Sequence, residues 1–169
     1  VFAFGSTFIF AQCTNFQADQ FDSFEYQTDC PFILPNTTYQ TTPMPSPTYG
    51  PSRTGSRHLY LNFADNYTGP VFSRPYTVCI GEVYRISFYH KDAWNGLNNV
   101  TFNIYDANDV LLATQNVTWN GPTWNNYVSP EFLTTTNTLR LEIVNNLNDG
   151  SNNDMTVDDM SLEICSTTE

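Results

Sequence analysis

The amino-acid sequence predicts an all-β protein, an antiparallel β-sandwich of jelly-roll type, and three observations support this prediction. Apolar residues recur at every second position in one run after another, and turn signals separate these runs. No window of about eleven residues has the period of a helix. Roughly nine or ten short strands with one apolar face need a second layer to bury that face, which predicts a sandwich.

Five strands are defined by strict alternation. Their apolar faces are Leu59-Leu61-Phe63, Tyr84-Ile86-Phe88-His90, Val100-Phe102-Ile104, Leu139-Leu141-Ile143 and Met160-Leu162-Ile164. Weaker strands are expected near residues 23–26, 71–78, 110–118 and 125–132, whereas the proline-rich stretch 31–51 is expected to be irregular. No repeat or linker divides the chain, so one domain is expected over residues 13–165, with a short tail at 166–169.

The last strand contains a change of phase. Met155 and Val157 are odd-numbered, whereas the apolar residues that follow are even-numbered. The slip falls at Asp158-Asp159, where a β-bulge would turn one carboxylate inward. A buried carboxylate needs a cation or hydrogen-bond donors. The pair is therefore the best candidate in the sequence for a structural Ca²⁺ site.

Composition excludes several classes of protein. The 169 residues include 6 Lys or Arg and 17 Asp or Glu, a formal net charge of −11, so binding to nucleic acid or insertion into an anionic membrane is not expected. Only 14% of residues are charged while 15% are aromatic, which is not the composition of a disordered chain. A polar, aromatic-rich chain with Lys91 as its one lysine is typical of an extracellular β-protein.

The four cysteines favour two disulfides over a metal site. Cys13, Cys30, Cys79 and Cys165 are widely spaced, with no CxxC motif. Three pairings are possible, and all of them require an oxidising, extracellular compartment. Four Asn-X-Ser/Thr sequons permit N-glycosylation; they begin at Asn36, Asn66, Asn99 and Asn116.

The first twelve residues are the most apolar stretch and carry no charge. They are too short to span a bilayer. One interpretation is the remainder of a signal peptide. The other is a retained strand, on which the bulky side chains Phe2, Phe4, Phe8 and Phe10 share one face. Such a strand could complete its own sheet or that of a neighbouring subunit, and the second arrangement, repeated head to tail, would build a filament.

Catalytic motifs are missing from the sequence. It contains no Gly-x-Ser-x-Gly, His-Glu-x-x-His or phosphate-binding loop. His58 and His90 both fall on predicted strands, where a histidine of the core or its rim is expected rather than a catalytic base. No enzymatic activity is expected, although the paired carboxylates of a glycoside hydrolase need no local motif and stay open as an alternative.

Three tryptophans lie at or beside predicted turns. Exposed aromatic rings next to amide and carboxylate groups can stack on sugars and hydrogen-bond their hydroxyls. Two candidate glycan sites follow: Trp94 with Asp92 and Asn95, and Trp119 with Trp124. The alternative is that these rings fold back onto the ends of the sandwich.

Four segments together resemble the MAM domain and, more loosely, the galactose-binding-like jelly rolls of carbohydrate-binding modules and bacterial surface proteins. They are residues 21–25 (Phe-Asp-Ser-Phe-Glu), 55–61 (Gly-Ser-Arg-His-Leu-Tyr-Leu), 81–90 (Gly-Glu-Val-Tyr-Arg-Ile-Ser-Phe-Tyr-His) and 157–165 (Val-Asp-Asp-Met-Ser-Leu-Glu-Ile-Cys). The amino-acid sequence of the third segment is more similar to those of secreted modules of Bacteroidetes-type bacteria than to those of animal receptors.

The resemblance implies adhesion, self-association or glycan binding rather than catalysis. It implies the disulfide pairing Cys13–Cys30 and Cys79–Cys165, because MAM domains pair their cysteines first to second and third to fourth. It also implies that Glu25 joins Asp158 or Asp159 as a Ca²⁺ ligand. Two functions are therefore expected: a subunit of a surface filament or adhesive fibre, assembled through residues 1–12, or a carbohydrate-binding module of a secreted protein.

The filament hypothesis predicts the effect of a deletion. Removing residues 1–12 should leave a folded but monomeric protein, because only the strand that enters the neighbouring subunit is lost. Light scattering and electron microscopy of the two proteins would measure this, and equal assembly with and without the segment would contradict the hypothesis.

Overall fold

A computed structural model describes residues 20–22, 32–35, 37–43, 51–93, 97–148 and 153–165. These residues form eleven strands: β1 (Gln20–Asp22), β2 (Thr37–Pro43), β3 (Arg57–Phe63), β4 (Gly69–Thr77), β5 (Val83–Asp92), β6 (Leu97–Asp106), β7 (Leu111–Asn120), β8 (Asn125–Val128), β9 (Phe132–Leu133), β10 (Thr138–Asn145) and β11 (Met155–Ile164). The described part of the chain has no helix long and apolar enough to cross a membrane.

The strands form two sheets in which every pairing is antiparallel. The first sheet has the order β2-β3-β11-β5-β8, with β1 paired to β11 and β9 paired to β5; the second has the order β4-β10-β6-β7. Apolar side chains from both sheets meet in one core, in which the rings of Phe88 and Phe102 are 4.7 Å apart. The predicted all-β sandwich is confirmed.

Alternation along the strands placed the core correctly. On β6 and β10, and on β5 over residues 83–90, buried side chains alternate with more exposed ones, whereas on β3 residues 58–61 are all buried. Of the fifteen residues on the predicted inward faces other than His90, all but Ile164 are at most 2% exposed, and Ile164 packs against the core while partly buried. The outward residues of β5 are therefore left to form a surface.

Three of the four weaker predicted strands overlap strands of the structure. Residues 71–78 fall largely in β4 and 110–118 in β7, whereas 125–132 divides into β8 and β9; residues 23–26 lie outside the described part. The expectation that 31–51 is irregular is wrong for β2, which pairs with β3 over seven residues. Threonine and tyrosine favour a pleated strand, and they outweigh the prolines nearby.

The bulge expected in the last strand is confirmed. The register between β11 and β5 shifts between Asp158 and Ser161, and Asp159 has a left-handed backbone with φ of 50°. Both carboxylates are buried, but they lie on the outer face of the first sheet, because Asp158 is the strand partner of the outward-facing Tyr89. The extra residue at the bulge restores the inward phase for Met160 and Leu162.

The cysteines require a correction. Cys79 is disulfide-bonded, whereas Cys165 at the end of β11 has a free thiol, so the bridge expected between them is wrong. The Cys165 amide donates to the Val83 carbonyl at 2.9 Å, and burial, followed by Glu131, raises the pKa of its thiol. Cys13 and Cys30 lie outside the described residues, and the two expected disulfides are not shown.

His90 is a core histidine, as expected. Its side chain is 2% exposed, its ring lies 4.1 Å from that of Trp119, and burial lowers its pKa to about 4. This histidine is neutral in the folded state and becomes charged in the unfolded state, so the unfolding free energy of the protein decreases as the pH falls from 6.5 towards 4. The shift corresponds to a loss of about 3 kcal/mol across that range.

We predict that His90→Phe removes this loss, because phenylalanine has no proton to gain. Urea unfolding between pH 7 and pH 4 measures the difference in unfolding free energy between the two proteins, which should change by about 3 kcal/mol. The comparison isolates His90, because Asp158 is present in both proteins. The pKa of Asp158 is raised to about 7, so its contribution to stability changes with pH in the opposite direction, and that contribution cancels in the difference. A difference that stays constant with pH would contradict the assignment.

Candidate functional site

The outer face of the first sheet carries an open groove with a volume of about 390 Å³. It spans three adjacent strands, β11, β5 and β8, and is also lined by Arg53, which lies outside these strands. The residues that line it are Arg53, Arg85, Ser87, Tyr89, Asn126, Val128, Asp159, Ser161 and Glu163. Most are the outward members of the alternation that builds the core, so the same periodicity produces both the core and the groove.

Strand register gives the groove its direction. Ser161, Ser87 and Val128 are aligned across the three strands and form one row, in which the two serines are small. On β11 and β5, larger side chains stand two residues away on either side of the serine. The row is therefore the floor, and the groove runs across the strands rather than along them. We refer to it as the cross-strand groove.

The first wall of the groove is an ion pair. Arg85 on β5 and Glu163 on β11 are strand partners, and the Arg85 Nε and Nη2 atoms each lie 2.8 Å from Glu163 Oε2. Both side chains are partly exposed, at 46% and 33%. The pair presents donors and an acceptor side by side to anything that enters the groove.

The second wall contains an aromatic ring. Tyr89 on β5 and Asn126 on β8 are strand partners, and the Arg53 guanidinium lies 3.5 Å from the centre of the Tyr89 ring. Arg53 is also ion-paired to Asp159, whose side chain is 3% exposed. This wall combines a planar cation, an aromatic ring and an amide. Arg85 and Tyr89 are four residues apart on one strand, so the Cα atoms of the two walls are separated by roughly 13 Å.

The β-bulge holds Arg53 in place. Asp158 Oδ2 accepts hydrogen bonds from the Arg53 amide at 2.9 Å and the Thr54 amide at 3.4 Å, and Asp158 Oδ1 accepts one from the Asp159 amide. The Asp159 carboxylate accepts hydrogen bonds from the Arg53 guanidinium and the Thr54 hydroxyl. Burial, and then the Asp159 charge, raise the pKa of Asp158 to about 7.

The other end of this segment is fixed at Pro51. The Pro51 carbonyl accepts hydrogen bonds from Lys91 Nζ at 2.9 Å and from Trp124 Nε1 at 3.1 Å. Lys91 Nζ also lies 4.4 Å from the centre of the Trp124 ring. Burial lowers the pKa of Lys91 to about 8, while the Asp158 charge acts against that shift. Segment 51–54 is thus anchored to the sheet at both ends.

Three of the predicted glycan residues lie in the described part of the chain, and two of these are buried. Trp119 is 9% exposed and packs in the core against His90, so the expectation that it stacks on a sugar is wrong. Asp92 is 1% exposed and is equally inaccessible. Trp124 is half-buried on the outer side and bonded to Pro51. The remaining predicted members, Trp94 and Asn95, lie outside the described residues.

The expected calcium ligands do not form a metal site by themselves. All four oxygens of Asp158 and Asp159 accept hydrogen bonds from N–H or O–H donors, with Arg53 as the neighbouring cation. Glu25 lies outside the described residues. Within the part that the structure describes, no three His, Cys, Asp or Glu side chains are grouped to hold a metal ion.

The sequons differ in their surroundings. Asn66 is exposed and has a left-handed backbone with φ of 58°. Asn99 and Asn116 lie on neighbouring strands of the second sheet, where Asn116 Nδ2 donates to Asn99 Oδ1 at 3.1 Å. Asn36 lies outside the described residues, as do Phe2, Phe4, Phe8 and Phe10. Glycosylation and strand exchange remain predictions.

Sequence reasoning missed most of the groove. Asp159 was singled out, but as a metal ligand, while Arg53, Arg85, Tyr89, Asn126 and Glu163 were not. The signal was present in the outward phase of β5 and β11, which places Arg85, Ser87 and Tyr89 on one face and Ser161 and Glu163 on one face. The pairing of the two strands, which aligns these faces, is not visible in the sequence.

No protein-family model matches the chain, and no curated protein matches it. Solved structures do. The CBM22-1 xylan-binding domain of Paenibacillus barcinonensis Xyn10C has a TM-score of 0.64 and 17% identity, over 88% of this chain and 95% of that domain. The C-terminal family 22 carbohydrate-binding module of Clostridium thermocellum Xyn10B has a TM-score of 0.61 and 11% identity, over 89% of this chain and 94% of that module.

A third similar structure is TmCBM61, solved in complex with β-1,4-galactotriose, with a TM-score of 0.55 and 13% identity over 87% of this chain and 88% of that module. All three are carbohydrate-binding modules, and the jelly-roll architecture is shared with them. Identities this low show the fold alone. The looser resemblance to galactose-binding-like jelly rolls is supported, whereas the resemblance to MAM domains and to Bacteroidetes-type proteins remains a prediction.

The anchoring of segment 51–54 generates a prediction with a matched control. Asp159→Asn keeps a residue that tolerates the left-handed backbone but removes the charge held by Arg53. We expect a loss of about 1–2 kcal/mol in unfolding free energy and faster amide exchange at Arg53 and Thr54.

Asp109→Asn is the control, because Asp109 also has a left-handed backbone and pairs with an arginine, Arg140, but its side chain is 80% exposed. An exposed pair contributes little, so its unfolding free energy should stay nearly unchanged. Equal effects of the two substitutions, measured by urea unfolding and hydrogen exchange, would disprove the role assigned to Asp159.

Proposed function

We propose that the chain is a non-catalytic carbohydrate-binding module of a secreted protein, and that it binds a polysaccharide in the cross-strand groove. The observation that carries the proposal is the groove itself: a polar concavity across β11, β5 and β8 whose lining residues come from the outward phase of three paired strands. Ligand sites are typically concave, with a few polar groups that converge on the ligand.

The groups in the groove suit a ligand rich in hydroxyls. A sugar hydroxyl both donates and accepts hydrogen bonds, and the Arg85–Glu163 pair and the Asn126 amide each offer both functions. Ser87 and Ser161 add hydroxyls along the floor. The Tyr89–Arg53 stack supplies a planar surface for the ring of a sugar. A polymer lying across the strands would contact both walls at once.

Catalysis is not part of the proposal. Hydrolysis of a glycoside needs one carboxyl group that carries a proton and a second that acts as base or nucleophile. Asp159 and Glu163 are the carboxylates that line the groove, and each is ion-paired with an arginine. Both carboxylates are thus held by guanidinium groups, and for that reason we propose binding rather than hydrolysis.

The similar solved structures support this function over the filament subunit, because they are carbohydrate-binding modules. The acidic, lysine-poor composition agrees with a secreted protein. The filament hypothesis depends on residues 1–12, which lie outside the described part, so it has no support from the fold.

The proposal predicts that Tyr89→Ala weakens polysaccharide binding by about tenfold or more, because one wall of the groove loses its ring. Affinity electrophoresis in gels that contain xylan, β-1,4-galactan or mixed-linkage glucan would identify a ligand, and calorimetry would give the loss for the variant.

Tyr105→Ala is the matched control. Tyr105 is also a half-buried, outward-facing tyrosine with an arginine over its ring, since Arg140 lies 4.5 Å from the ring centre, but it belongs to the second sheet. Its loss should leave binding unchanged. The groove would be ruled out as the site if Tyr105→Ala weakened binding as much as Tyr89→Ala.

A further inference from the structure

The charged side chains that line the cross-strand groove are present in equal numbers. Arg53 and Arg85 are the cations, and Asp159 and Glu163 are the anions. Each cation is paired with one anion, at one wall or the other. The groove therefore has no unpaired charge of either sign among these four groups, although the whole chain has a formal charge of −11.

The two pairs differ in how easily they can rearrange. The Asp159 carboxylate is 3% exposed and also accepts a hydrogen bond from the Thr54 hydroxyl, so it is fixed beneath Arg53. Glu163 and Arg85 are partly exposed and form an ordinary surface pair. A ligand can therefore reach the other N–H groups of Arg85, but it then lies beside the Glu163 carboxylate.

A uronic acid in the ligand would meet this obstacle. Its carboxylate would need Arg85 as a partner, and the Glu163 carboxylate would lie beside it as a like charge. The negative charge of the rest of the chain adds to the repulsion at low ionic strength. A neutral sugar meets no such cost, because its hydroxyls hydrogen-bond to the pair without separating it.

We propose that the Arg85–Glu163 pair makes the groove select uncharged polysaccharides and reject those that contain uronic acids. The inference rests on the proposed function and adds the substrate class and the residue that sets it. Glu163 is the specificity-determining residue: it neutralises Arg85 and repels a second carboxylate.

The experiment compares acidic polysaccharides with their own carboxyl-reduced forms, so that the backbone stays the same and only the charge changes. Glucuronoxylan, polygalacturonate and alginate serve as probes, with affinity electrophoresis at low and moderate salt as the measurement. Wild type should bind at least one reduced polymer about tenfold more tightly than its acidic parent. Glu163→Gln should lower that ratio by about tenfold, most clearly at low salt.

Glu142→Gln is the matched control, because Glu142 pairs with Arg140 at 2.7 Å on the opposite sheet. It removes the same charge from the chain and should leave the ratio unchanged, which separates a local effect from that of net charge. Thermal unfolding of each variant verifies that it is folded.

The outcomes distinguish this inference from the proposed function. Equal affinity of wild type for the acidic and reduced forms of a polymer that it binds would overturn the inference alone, and so would a ratio that Glu163→Gln leaves unchanged. If no polymer in either form binds, the proposed function fails and the inference fails with it.

Discussion

The β-bulge at Asp158 and Asp159 is the constraint on which the outer surface of the first sheet depends. Because β11 changes phase there, one extra residue is accommodated and two carboxylates are left buried on the outer face. Buried carboxylates are unfavourable unless they accept hydrogen bonds. Segment 51–54 supplies the donors, and in doing so it places Arg53 over the Tyr89 ring. One wall of the groove thus follows from the hydrogen-bonding requirement of a bulge.

The features that could be predicted from the sequence are those with a local signature. Alternation identified the inward residues of β3, β5, β6 and β10, and a phase slip identified the bulge, because each appears within a few consecutive residues. The strand β2 has no such signature, because prolines lie close to it in sequence and oppose the β propensity of Thr37, Tyr39 and Thr41.

The groove was not predictable in the same way, because its contacts join distant parts of the chain. The Arg53 amide and the Asp158 carboxylate are 105 positions apart, and Arg85 and Glu163 are 78 positions apart. Such pairs depend on which strands become neighbours. Trp119 shows the opposite error: a turn nearby suggested exposure, whereas the inward phase of β7 placed the ring in the core beside His90.

Because buried and outward side chains alternate on β5, this one strand contributes separately to the core and to the outer surface. Tyr84, Ile86 and Phe88 determine how the sheets pack, while Arg85 and Tyr89 determine what the outer surface presents. Outward residues can therefore be exchanged during evolution, and the ligand preference altered, with little effect on the core. Asp159 is the exception, because it both lines the groove and holds segment 51–54 in place. Evolutionary change at that position would have to satisfy folding and recognition together, so it should be the slowest part of the groove to diversify.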